Sequence, residues 1–180
     1  MKIAHAALLL ALAAPVLTPA WAQDWQEYRD SAMGFGASFP GTPNVSDTNL
    51  KLEDGTAAPA KLYYLRQGAS EFKIMVADFS KAALQGDAAI NEAVKTLSAT
   101  GKVTVNIDAR VNRNYGRQLG VTAPDGSQTV AAIFFANGKL YQIEGITHPA
   151  EDANSSNAAR FQQSLTFQGG FGGRGRRGGP

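Results

Sequence analysis

Thr129 to Thr147 reads TVAAIFFANGKLYQIEGIT, and this stretch decides the fold. Two apolar runs, Thr129–Phe135 and Leu140–Thr147, flank the dipeptide Asn137-Gly138. Asn and Gly accept the positive φ angles that a two-residue mirror-image turn demands, so the pattern predicts a tight β-hairpin. Strands joined so closely must run antiparallel, because a parallel pair needs a crossover of a dozen residues or more.

The same grammar extends outward in both directions. Pro124-Asp125-Gly126 is a second turn, fed by a strand at Arg117–Thr122, with another at Lys102–Val111 before it. Further upstream, Ala60–Arg66 follows Leu50-Lys51-Leu52 across the turn Glu53-Asp54-Gly55. In Glu71–Phe79 the residues Phe72, Ile74 and Val76 alternate with Lys73 and Met75, the period of a half-buried strand. Trp25–Asp30 and Phe35–Phe39 are two more short strands around a glycine-containing turn, and Pro40 and Pro43 stop the second.

Two segments change period. Ile90, Ala93, Val94 and Leu97 form an i, i+3, i+4, i+7 stripe, with Asp87 expected as N-cap and Gly101 closing the helix. Asn154–Leu165 is the second helix, with Ala158, Phe161 and Leu165 on its inner side. Strands, a helix, strands and a helix, with hairpin connections, give an α+β domain. A central, mainly antiparallel sheet flanked by helices is expected, an α/β/α sandwich.

The chain has 180 residues and its two ends differ from this body. Residues 1–22 carry a short positive start, an apolar run from Ala6 to Leu17, and the small-x-small triplet Ala20-Trp21-Ala22. That is the layout of a secretory signal peptide cut after Ala22, which places the protein in the periplasm or outside the cell, with no membrane span left after cleavage. Residues 168–180, QGGFGGRGRRGGP, hold seven glycines and the arginines Arg174, Arg176 and Arg177. So much glycine with so little apolar area is expected to stay disordered, and the arginines suit an anionic surface. The domain is therefore residues 23–167.

Composition removes several chemistries. There is no cysteine, hence no disulfide, thiol nucleophile or cysteine-held metal. Residues 23–167 hold 13 Lys and Arg against 15 Asp and Glu, a net charge of −2, so the folded body has no basic excess to draw nucleic acid. Nothing in the sequence calls for a cofactor.

Three short motifs resemble a known family. Phe35-x-x-x-Phe39-Pro40-x-x-Pro43 resembles the opening of exported bacterial PsbP-like domains, in the broad superfamily that includes the Mog-type proteins. Gly138-Lys139-Leu140-Tyr141-Gln142-Ile143 is similar to that family's late strand, and Ala159-Arg160-Phe161-x-x-Ser164-Leu165 to its C-terminal helix. The resemblance implies an α/β/α sandwich and a binding or assembly role, with an envelope or periplasmic protein as partner and no enzymatic activity. It assigns no site residue.

Site candidates must then come from the residues themselves. His148 is the one histidine of residues 23–167. It sits before Pro149 at a strand-to-helix junction, either as a ring that satisfies local backbone or as part of a metal site with Glu151 and Asp152, to which Glu144 could add a ligand. Such a site would serve a small-molecule binder or a hydrolase. No Gly-x-Ser-x-Gly elbow accompanies it. Tyr63-Tyr64 and Arg66 offer an aromatic and cationic surface, with strand geometry sending the two tyrosines to opposite faces. Arg110, Arg113 and Arg117 make a basic cluster around a hairpin, suited to an acidic partner or simply to water. Tyr64, Arg66, Arg113 and Arg117, with the three tail arginines, make up the expected binding surface.

Overall fold

The computed structural model describes residues 25–82, 84–150 and 153–168. The expected signal peptide, Glu151, Asp152 and the tail arginines Arg174, Arg176 and Arg177 lie outside the described residues.

Strands β1 (Gln26–Asp30) and β2 (Phe35–Phe39) open the chain, followed by β3 (Asn44–Lys51), β4 (Ala57–Gln67) and β5 (Ser70–Asp78). Helix α1 (Gly86–Ser98) leads into β6 (Lys102–Val111), β7 (Asn114–Thr122), β8 (Gln128–Ala136) and β9 (Lys139–Thr147). Helix α2 (Ser155–Gln163) and the short β10 (Thr166–Phe167) come last. The strands make a seven-stranded sheet in the order β3-β4-β5-β9-β8-β7-β6 and a three-stranded sheet in the order β1-β2-β10. Every described pairing is antiparallel. The Asn137-Gly138 turn is where the sequence puts it, both residues having positive φ, at 51° and 75°.

The alternation of β5 explains how one sheet serves two cores. Phe72, Ile74 and Val76 join Tyr63, Phe134, Tyr141 and Ile143 in one cluster, while Ala77 and, partly buried, Met75 join Ala131, Ile133 and Leu140 in another. On the second side α1 lies over β7, β8 and β9, with Ile90 and Leu97 in the core. On the first side α2 packs on β9, β8 and β5. It shares that side with the small sheet, whose Phe35 and Phe39 enter the same core. The α/β/α sandwich is corrected accordingly. The fold is sheet-rich, and the α2 layer is part helix and part sheet, because the aromatic strands around Phe35 and Phe39 cover area a helix would otherwise take.

Close contacts fix how the layers sit. Gly145 on β9 lies under α2, where an added Cβ would collide with the backbone of Ala158, so glycine is what lets helix and strand approach. Gln168 hydrogen-bonds through its amide N–H to the carbonyl of Gly34 and through its side chain to that of Phe35, which ties the end of β10 to the small sheet. Asp87 is not the N-cap of α1. Gln85 holds that position without a side-chain bond, and Asp87 lies in the first turn, where a carboxylate still favours the positive helix end.

Candidate functional site

The strand registers build a charged cluster at one end of the seven-stranded sheet. Thr147 at the end of β9 pairs with Ser70 on β5 and with Gln128 on β8. The next residue, His148, therefore reaches the β4–β5 turn on one side and the β7–β8 turn on the other. Its backbone N–H donates to the carbonyl of Ala69 at 2.8 Å. Its Nε2 lies 2.9 Å from Oε1 of Glu71, and its Nδ1 lies 2.9 Å from Oγ of Ser127. Ser127 in turn donates its hydroxyl to Asp125 Oδ2 at 3.0 Å, and its N–H to Oδ1 at 2.9 Å.

Donor counting gives this chain a direction. Ser127 has one hydroxyl proton, and giving it to Asp125 leaves its oxygen to accept from His148 Nδ1. The Nε2 atom faces a carboxylate, which only accepts. All the bonds are satisfied together when both ring nitrogens donate.

Glu71 is the centre of the cluster. Its side chain is only 12% exposed. Besides His148 it meets Arg66 at 3.5 Å and Lys73 at 3.2 Å. Burial pushes its carboxyl up, but hydrogen bonds from His148 and Lys73 and their charges outweigh that and hold it below the ordinary value of 4.5. Asp125 is also held low, chiefly by the backbone N–H and the hydroxyl of Ser127.

The α1-side face of the sheet gathers four sequence candidates here. Arg66 stands opposite Glu71, and Tyr64 opposite Lys73, which is opposite Glu144. Tyr64 and Glu144 are half-buried, and Tyr63 is fully buried on the other face, as alternation requires. Glu144 accepts a hydrogen bond from Gln142, and the carboxylate at His148 is that of Glu71. Among the described residues, no group of three or more histidines and carboxylates could hold a metal. An open hollow of about 160 Å³ beside His148 is lined by Gly126, Gln128, Thr147, Pro149, Ala153 and Ser155. It is small against the few hundred Å³ of a typical ligand pocket.

The other two candidates lie at the far edge of the sheet, on the β6–β7 hairpin. Arg113 is exposed in its turn with φ of 72°. Arg117 is bonded to Asp108 and Asn106, and Arg110 lies 5.0 Å from the ring centre of Tyr115. The expected basic cluster is thus partly neutralised by its own cross-strand neighbour. What composition and spacing missed is Glu71, Lys73, Ser127 and Asp125. The signal that could have found them was register, since Glu71 is 77 residues from His148.

No family model matches the chain, and no curated protein matches it. Among solved structures it is similar to the solution structure of cyanobacterial PsbP (CyanoP) from Synechocystis sp. PCC 6803. That match has a TM-score of 0.51 and 13% sequence identity, and covers 83% of this chain and 96% of the other. At that identity the likeness shows architecture, and on it the chain has a PsbP-like fold.

Proposed function

We propose that this protein is an exported, non-enzymatic binding or assembly domain of the bacterial periplasm, and that it engages a protein partner through the Tyr64–Arg66–Lys73–Glu144 face. One observation carries this reading. Aromatic, cationic and anionic side chains stand side by side on a broad sheet surface, the mixed character of a protein contact and not of a ligand cleft. Export is supported by the sequence of residues 1–22, and the assembly role by the PsbP-like fold. Among the described residues no helix is long and apolar enough to cross a membrane.

The test is crosslinking affinity purification from the native envelope with residues 23–180 as bait, beside a Tyr64→Ala/Arg66→Glu variant and an Arg113→Glu variant. Capture of one partner, lost with the first variant and kept with the second, supports the proposal. Equal capture by all three moves the contact elsewhere, and capture of nothing specific overturns the protein-partner reading. Repeating the capture without residues 169–180 asks whether the arginines add attraction to an anionic surface.

A second reading, a hydrolase, has one observation in its favour: Ser127, His148 and Glu71 are linked in the order of a nucleophile, a base and its orienting acid. Against it, Ser127 is 4% exposed and its proton is already directed at Asp125. Turnover of a p-nitrophenyl ester that vanishes in Ser127→Ala would establish the hydrolase, and equal background turnover in both proteins would reject it.

A further inference from the structure

The seven-stranded sheet has two edges, β3 and β6, and they are built differently. Strand β3, NVSDTNLK, is largely polar and comes directly after Pro43, features that discourage further pairing. Strand β6, KVTVNIDARV, is ten residues long with neither proline nor glycine, and it leaves Val103, Val105 and Ile107 38%, 39% and 53% exposed. An unpaired edge free of proline and glycine is a template for another strand, and Ile107, the most exposed of these three, lies in the regular segment that can pair.

The geometry of β6 also decides which strand fits. Asn112 and Arg113 both have positive φ, at 47° and 72°, and Val111 pairs with Asn114, so the β6–β7 turn is a two-residue mirror-image turn closing on a hydrogen-bonded pair. Alternation then directs the backbone groups of Val111, Ala109 and Ile107 toward β7, and those of Arg110, Asp108 and Asn106 outward. The register irregularity in β6 lies between Val103 and Val105, outside this segment. Side chains alternate as well. Asp108 and Arg110 share the face of their partners Arg117 and Tyr115, and Ile107 and Val111 lie on the other.

We propose that β6 pairs antiparallel with β6 of a second copy of this chain, about a two-fold axis at Ala109. In that register Asp108 stands opposite Arg110 twice, and Ile107 opposite Val111 twice. Ala109 faces its own copy as a close non-hydrogen-bonded pair, while Asp108 and Arg110 exchange backbone hydrogen bonds. Moving the axis one residue sets Asp108 against Asp108 or Arg110 against Arg110, like charges directly opposite one another. Moving it to Ile107 gives Arg110 no anionic partner and runs into the irregular part of the strand. The Asp108 side chain is 88% exposed despite its bond to Arg117, so it can take a second cation. Charge and hydrogen-bonding parity thus select one register and one occupant, independently of the Tyr64–Arg66 surface.

The chain lacks cysteine, which makes the test clean. Ala109→Cys sets two thiols directly across the axis in a non-hydrogen-bonded pair, with Cα atoms about 4.5 Å apart, within the span of a disulfide. It is expected to form a disulfide dimer under mild oxidation at least about tenfold faster than Val45→Cys on the other edge. Sedimentation equilibrium of the unmodified protein is expected to show a monomer–dimer exchange. Arg110→Glu and Asp108→Lys, each alone, are expected to weaken it about tenfold, because two cross-strand pairs turn repulsive at once. An equimolar mixture of the two variants is expected to recover association, since each supplies the charge the other lacks. Circular dichroism checks that both remain folded. Purely monomeric protein with Ala109→Cys no faster than Val45→Cys overturns the proposal, and so does association unaffected by either charge reversal. Dimerisation in which the mixture fails to recover overturns the register.

Discussion

Glu71 shows what a single residue does here and how little of it the sequence displays. In the chain it is an ordinary acidic residue at the start of an alternating strand. In the fold it is a nearly buried carboxylate that answers three cationic or potentially cationic groups. Glu71→Gln keeps the shape and removes the charge, so it is expected to destabilise the protein by about 1.5–3 kcal/mol near neutral pH, the range for hydrogen bonds to charged groups. The sign of the pH dependence comes from its lowered folded-state value. Stability from the ionised carboxylate is complete above the ordinary value of 4.5 and is lost as pH falls through the lower folded value. Urea midpoints of the two proteins should therefore differ at neutral pH and converge in acid. A gap that stays constant would mean the carboxylate's charge is not what holds the cluster. His148 is legible in the sequence as the residue to watch, and Tyr64, Arg66 and Glu144 fall near it. The true carboxylate is not legible, because two strand registers, and no local spacing, bring it there.

Elements are most legible where periodicity alone decides them. The α1 stripe and the alternation of β5 survive intact, since 3.6- and 2-residue periods reflect directly which side must be buried. The N-terminus of α1 is not readable, because Asp87 is a good capping type in the wrong place. Gln85 is exposed, has extended backbone angles and caps nothing with its side chain. Gln85→Ser is therefore expected to stabilise the protein by about 1 kcal/mol, checked as a rise in Tm, and an unchanged Tm would show that the chain entering α1 is held by other contacts. Gly145 behaves in the opposite way. A methyl group there meets the backbone of Ala158, which cannot swing aside like a long side chain. Gly145→Ala is expected to cost more than about 2 kcal/mol by forcing α2 off β9, read as a lower urea midpoint. The two-residue β10 cannot be seen from sequence at all, for it exists only through pairing with β2, 130 residues earlier.

At the scale of the molecule the question is whether the small sheet is a separate unit or part of the whole. Packing argues for one unit. The ring of Phe35 meets Tyr63 at 5.0 Å, and Phe39 meets Phe161 at 4.7 Å, which in turn meets Phe72 at 5.2 Å. These rings come from the small sheet, the large sheet and α2, so none of the three can leave without exposing aromatic surface in both others. Tyr63 also donates to Asp30 at 2.7 Å, bridging β4 to the end of β1. Trp25 is the only tryptophan of residues 23–180 and packs edge-on to Phe72 at 5.6 Å, with the Arg160 guanidinium 4.5 Å from its ring centre. Its fluorescence thus reports on the side where the small sheet, the large sheet and α2 meet, while far-ultraviolet circular dichroism is dominated by the large sheet. Urea unfolding of residues 23–180 monitored by the two signals is expected to give coincident transitions with one midpoint. A Trp25 transition at lower urea would show instead that α2 and the small sheet open as a cooperative unit of their own. In that case the His148 cluster, anchored on the large sheet through Glu71 and Ser127, should outlast it, and Glu71→Gln would shift only the later transition.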